Sequence, residues 1–148
     1  TIEDVRHIIS RGEGYTIEFK DATGGMPSSF YESAVSMSNT DGGVLLLGVD
    51  DDGVVMGLTT EACKHMQKDI VTALNEPDCV WPSIYVQPFI VSHPEGEILV
   101  CQIVASSQVH ISLRIEEPES EEVLYCLWMD GGEGFCVRNT SRNLPLYS

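Results

Sequence analysis

The sequence predicts an α+β fold, a single domain in which a mixed β-sheet is flanked by about three helices. Two observations carry this expectation. Segments with apolar residues at helical spacing alternate with short strand-like runs in the order helix, strand, helix, hairpin, helix, then strands, and no repeat period or heptad seam overrides that order. The 148 residues are 43% hydrophobic, which suits one compact core.

The first element, Thr1–Ser10, carries Ile2, Val5, Ile8 and Ile9 at near-helical spacing behind a Thr with Asp4 three residues on, an approximate capping box. Gly12 and Gly14 end it. Tyr15–Phe19 alternates aromatic and β-branched residues, a strand with Tyr15, Ile17 and Phe19 on one face and Thr16, Glu18 and Lys20 on the other. Asp21–Ser29 is a loop, and Ser28 or Ser29 caps a second helix, Phe30–Asn39. After Thr40–Gly43 comes Val44–Val49, a continuous apolar run typical of a strand buried on both faces. Asp50-Asp51-Asp52-Gly53 supplies a tight turn into Val54–Leu58, making the two runs a hairpin.

A third helix, Thr59–Leu74, presents Cys63, Met66, Ile70, Val71 and Leu74 at three-to-four spacing until Asn75-Glu76-Pro77 stops it. Ile84–Ser92 and Ile98–Val104 read as strands joined through His93–Gly96. Arg114–Glu122, with Glu116, Glu117, Glu119, Glu121 and Glu122 around Pro118, is a solvated excursion, and Val123–Met129 and Phe135–Arg138 form a final strand pair.

Composition narrows the function. Eight Lys+Arg against 23 Asp+Glu leave a net charge of −15, which excludes a uniformly basic nucleic-acid-coating protein and requires any polyanion to meet a local patch. Apolar runs such as Val44–Leu47 fall far short of the roughly 20 residues a membrane-spanning helix needs, so no membrane partner is expected. Five cysteines without a CxxC pair point to a reducing, intracellular compartment, and no Cys/His set has structural-zinc spacing. The chain begins at Thr1 rather than Met, so residues 1–148 are expected to be one domain of a longer protein.

Three features bear on chemistry: Glu13–Lys20, the turn Asn39–Gly43, and the acidic turn Asp50–Asp52. Glu18 and Lys20 share the polar face of their strand, and Glu13 lies in the glycine-flanked lead-in. Two glutamates with a third carboxylate from the hairpin end form the oxygen-donor set that a hard cation such as Mg²⁺ or Mn²⁺ takes. Such an ion activates water and neutralises phosphoryl charge, with Lys20 steadying the phosphate. The same residues also suit a solvent-facing strand and an ordinary turn, since Asp tolerates turn geometry. Arg6, Arg11 and Lys20 near the glutamates and Arg138 and Arg142 near the end form one basic, nucleic-acid-binding patch if the closing strand returns beside the first. ATP is not expected, because no GxxxxGK[ST] is present and Gly42-Gly43 precedes a strand rather than a helix.

E-x-x-x-x-E-F-K at Glu13–Lys20, N-T-D-G-G at Asn39–Gly43, V-L-L-L-G-V-D-D-D-G at Val44–Gly53 and V-M-G-L at Val55–Leu58 together closely resemble the Schlafen/AlbA-like DNA-binding domain, also catalogued in bacteria as a divergent AAA family. The resemblance is strong over about Thr1–Leu74 and weaker to the end, where Phe135-Cys136-Val137-Arg138 with Ser141 and Arg142 resembles the family's closing strand. It implies binding of DNA or RNA, as in the N-terminal module of a transcriptional regulator. In the Schlafen branch it further implies a metal-dependent endoribonuclease, with Glu13, Glu18 and Asp51 as catalytic residues and ligands of Mg²⁺ or Mn²⁺, Lys20 beside them, and Asp50 the poorer match for the third position. Schlafen proteins pair two such lobes in a clamp and this chain has room for one, so a homodimer would supply the other wall. The acidic surface equally suits a protein-interaction or dimerisation module.

Overall fold

The computed structural model describes residues 1–27, 29–75, 80 and 83–106 with their side chains, and residues 81, 111–114, 123–128 and 134–139 by their backbone. Helix α1 (Ile2–Arg11) starts on the expected capping box, in which Thr1 Oγ1 accepts the Asp4 N–H and the Asp4 carboxylate reaches back to the Thr1 backbone. The Thr1 hydroxyl and then the N-terminal ammonium hold the Asp4 carboxyl below its ordinary value. There follow β1 (Ile17–Lys20), α2 (Phe30–Ser38), β2 (Gly43–Leu47), α3 (Thr60–Asn75), β3 (Val80–Trp81), β4 (Phe89–His93), β5 (Gly96–Ile103), β6 (Ile111–Arg114), β7 (Val123–Trp128) and β8 (Gly134–Asn139).

The α+β class and the mixed sheet are as expected, but the strands form two sheets rather than one. The first has the order β1-β2-β5-β4, with β1 parallel to β2 and the other pairs antiparallel; the second, β3-β6-β7-β8, is antiparallel throughout. Helix α2 lies between them, against β2 and β5 on one side and β6 and β7 on the other.

The expected hairpin of Val44–Val49 with Val54–Leu58 forms only at its tip, where Val49 bridges Val55 around the Asp50–Gly53 turn. Both edges of β2 are taken by β1 and β5, and Gly48, at φ +100°, turns the chain out of the sheet directly after Leu47. Val54–Leu58 keeps only two isolated bridges, Val49 to Val55 and Leu58 to Glu97. The strand expected at Ile84–Ser92 begins instead at Phe89, after Pro88, which has no N–H to give a ladder. Tyr15 does not join the buried face either: the Gly14 N–H closes a turn onto Ile17 O at 2.9 Å, so β1 starts at Ile17 and Tyr15 is 79% exposed. The acidic excursion Glu116–Glu122 lies outside the described residues.

Each face of the first sheet has its own cover. Leu45 and Leu47 of β2 and Leu99 and Cys101 of β5 pack under α2 and α3 with Phe30, Val35, Cys63 and Ile70. Leu46 of β2 and Ile98 and Val100 of β5 face α1, with Val5, Ile17 and Phe19. Complete burial of an aliphatic or aromatic side chain of this size contributes roughly 1.5–3 kcal/mol. The phase of β1 follows from its register, Glu18 beside Leu45 and Lys20 beside Leu47, which turns both polar residues towards the α2 layer at the sheet's edge. Among the described residues, no helix is long and apolar enough to cross a membrane.

Candidate functional site

An edge strand leaves every second residue's backbone groups without a sheet partner. On β1 the outward Ile17 carbonyl and Phe19 N–H are satisfied locally. Gly14 donates to Ile17 O, and Glu13 Oε1 accepts the Phe19 N–H at 2.9 Å. Glu13 thus seals the edge of the strand that carries Glu18 and Lys20.

Lys20 is 13% exposed and Glu18 35%, with Nζ 3.6 Å from Glu18 Oε2. The Lys20 ammonium also donates to Ser29 Oγ at 2.7 Å. Ser29 occupies the N-cap of α2 as expected but makes no side-chain cap bond, its hydroxyl being turned to the lysine instead; Ser28 lies outside the described residues. Glu18 Oε2 is buried without a hydrogen-bond partner, so Lys20 is its charge compensation.

The third carboxylate comes from the turn after β2. Asp50 Oδ1 accepts the N–H groups of Asp52 at 3.0 Å and Val54 at 2.9 Å, an Asp side chain holding its own turn. Asp51 is left exposed at the tip. Gly53, at φ +82°, packs against α1, where a Cβ would meet Ile9 Cγ2 at 3.4 Å.

Glu13, Glu18, Lys20 and Asp51 therefore line one cleft of about 700 Å³, floored by the Asp21–Pro27 loop. The Thr23 hydroxyl and then its N–H hold the Asp21 carboxyl in that loop below its ordinary value. The four residues share the cleft, yet among the described residues no three acidic, His or Cys groups gather closely enough to hold a metal ion. Glu13 is turned to a backbone N–H and Glu18 to an ammonium. In this arrangement the donor set does not fit a bound Mg²⁺ or Mn²⁺.

On the other side of Glu18 and Lys20 lies a smaller cavity of about 310 Å³, lined also by Tyr15, Glu32, Ser33, Ser36 and Thr40. No sequence motif marks it, although Ser29 at the N-cap and Ser33 and Ser36 of α2 recur at the spacing of one helix face.

Of the expected cationic patch, Arg6, Arg11 and Lys20 lie among the residues described with their side chains. Arg6 is exposed on α1 with its Nη1 2.9 Å from Glu3 Oε1, Arg11 is exposed in the last turn of the same helix, and neither lines the cleft. Arg138 lies on β8, where the backbone alone is described, and Arg142 is outside the described residues. Cys63 and Cys101 are core thiols, as expected, and burial pushes the Cys101 thiol up to about 12.

A sequence model of the family described as Schlafen, AlbA_2 matches residues 13–146. Among solved structures, the fold is similar to the N-terminal domain of a RecG-related protein from Nitrosomonas europaea, determined by NMR. The two are 18% identical with a TM-score of 0.50, over 69% of this chain and 71% of that one. The DIP2311 protein from Corynebacterium diphtheriae is also similar, at 18% identity and a TM-score of 0.47, over 92% of this chain but 29% of that chain. No curated protein matches the sequence.

Proposed function

The chain belongs to the Schlafen, AlbA_2 family, and from that premise we propose that it is a nucleic-acid-binding module, of the kind that serves as the N-terminal part of a transcriptional regulator. The observation that carries binding over cleavage is how the cleft carboxylates are engaged. Glu13 caps the Phe19 N–H and Glu18 neutralises Lys20, tasks that stabilise β1 whether or not a phosphate is near. The test is a mobility-shift titration of labelled duplex DNA and stem-loop RNA over a range of salt. Binding that weakens steeply with salt and survives Glu18→Ala within about threefold supports the reading, since phosphate contacts release counterions; absence of any shift at low salt refutes it.

A second reading, metal-dependent cleavage of RNA, is favoured by the presence of Glu13, Glu18, Lys20 and Asp51 in a single cleft. It requires the two glutamates to leave their present partners. Its signature is strand breaks on a denaturing gel that need Mn²⁺ and vanish both with chelator and in Glu18→Ala.

A further inference from the structure

We propose that a single-stranded nucleic acid lies in the groove between α3 and the segment Ser83–Phe89, its bases stacked on Tyr85 and Phe89 and its phosphates on Lys64 and Lys68. The inference rests on the nucleic-acid reading above and assigns it a place away from the carboxylate cleft.

The groove encloses about 630 Å³ and is lined by Lys64, Gln67, Lys68, Val71, Gln87 and Phe89 among others, with no acidic residue in its wall among the described residues. Its far side is a segment whose burial alternates strictly from Ser83 to Phe89. Ile84 and Val86 are buried at 5% and 2%, while Phe89, 40% exposed, lines the groove and Tyr85, 74% exposed, stands on the same outward row just beyond the groove's lining, with Gln87 between them. Gln67 Nε2 donates to Pro88 O at 2.9 Å and fixes the segment against α3, so the groove is built before any ligand arrives.

Lys64 and Lys68 are exposed one helical turn apart, neighbours on the groove side of α3. Neither forms an ion pair among the described residues, and the nearby Asp69 carboxylate stands 3.9 Å from His65 instead. In a chain of net charge −15, two adjacent unpaired lysines beside outward-facing aromatic rings select for a ligand that is anionic and carries flat apolar faces. Single-stranded nucleic acid has both, because every unpaired base offers a face for stacking and every linkage a phosphate. A duplex offers the phosphates but keeps its base faces covered. A protein partner would call for a continuous apolar patch, whereas here the rings alternate with an amide.

The test is fluorescence anisotropy of the chain with fluorescein-labelled 20-nucleotide oligo(dT) and oligo(U), with a 20-base-pair duplex and polyglutamate as competitors. Tyr85 is exposed, so Tyr85→Ala leaves the core intact, which circular dichroism checks. The expected result is binding of one or both single strands, weakened about tenfold by Tyr85→Ala. Lys64→Gln with Lys68→Gln lowers the slope of log affinity against log salt by about 1.4. Duplex and polyglutamate compete weakly. Wild-type affinity in both variants, together with weakening by Arg11→Gln, overturns the groove while the nucleic-acid reading stands. No binding of any nucleic acid by the wild-type chain overturns both, and displacement by polyglutamate at equal charge assigns the groove to an acidic protein instead.

Discussion

The two grooves that flank the first sheet differ most in their charge. Among the described residues, the cleft at β1 sets Glu13, Glu18, Asp21 and Asp51 around a single lysine that Glu18 already neutralises, whereas the groove at α3 sets Lys64 and Lys68 against a wall without acids. A unit charge 4 Å from another costs about 1 kcal/mol even in bulk water and about 4 kcal/mol near a protein surface, so a phosphate entering the β1 cleft meets repulsion from several sides. The α3 groove offers the opposite field. The motif residues Glu13, Glu18 and Lys20 and the lysines of α3 thus line different grooves.

The comparison can be broken most forcefully at Gly57. A Cβ there would stand 2.0 Å from Glu95 O, at a backbone φ of +74°, so Gly57→Ala should cost about 3 kcal/mol or more in a denaturant titration. Gly57 anchors the excursion that carries Asp51; it lies three residues before α3, but its close contacts are with Glu95 and Gly96, and none of the three lines the α3 groove. Oligonucleotide affinity measured on the remaining folded variant should stay within about twofold of wild type by the independence of distant sites. A parallel loss would show that the two grooves act as one.

Glu13 separates charge from hydrogen bonding. Glu13→Ala leaves the Phe19 N–H without its acceptor and should destabilise by about 1–2 kcal/mol, while Glu13→Gln keeps an acceptor oxygen and should recover most of that. Equal losses in both variants would make the carboxylate's charge, not its oxygen, the important property.

The core beneath α3 is read by alkaline titration. Burial raises the Cys101 thiol to about 12 from an ordinary value of 9.0, and burial followed by Glu97 raises Cys63. The folded chain therefore retains protons that the unfolded chain releases above pH 9. Stability contributed by these groups is complete below about pH 9 and declines as pH rises towards 12, by at most about 1.4 kcal/mol per pH unit for each thiol. Cys101→Val should flatten that decline between pH 9 and 10, and both thiols should resist iodoacetamide until the chain unfolds, as mapped by mass spectrometry. The smallest effect belongs to Asp51→Asn, which removes one exposed charge and should raise oligonucleotide affinity about twofold at low salt and not at all near 1 M, where screening reaches about 3 Å.

What could be read from the sequence depended on whether the signal was local. The capping box of Thr1 and Asp4, the apolar stripe of α3 and the continuous run at Val44–Leu47 each state their structure within a few residues, and each appears in the fold. The hairpin failed beyond its tip because the Asp-Gly turn is also local, while the partners of β2 are not. A parallel neighbour arrives through α2 and an antiparallel one from β5, many residues on. Glu13 stood out as a glycine-flanked acid, yet its bond to the Phe19 N–H depends on β1 being an edge, which only the strand order reveals. Asp50 and Asp51 are chemically alike, and only the turn's own hydrogen bonds show why Asp51 is the one left to face the cleft. The α3 groove was half legible. Alternation in Ile84–Phe89 puts Tyr85 and Phe89 outward with Gln87, but that Lys64 and Lys68 share a groove with Gln87 and Phe89 follows from packing.

Chemical-shift mapping would locate the ligand directly. Titrating unlabelled oligo(dT) into ¹⁵N-labelled chain should move amide signals of Lys64–Thr72 and Tyr85–Phe89 and leave those of Glu13–Lys20 and Asp50–Gly53 in place. Shifts confined to Glu13–Lys20 and Asp51 would return the polyanion to the carboxylate cleft and contradict the account.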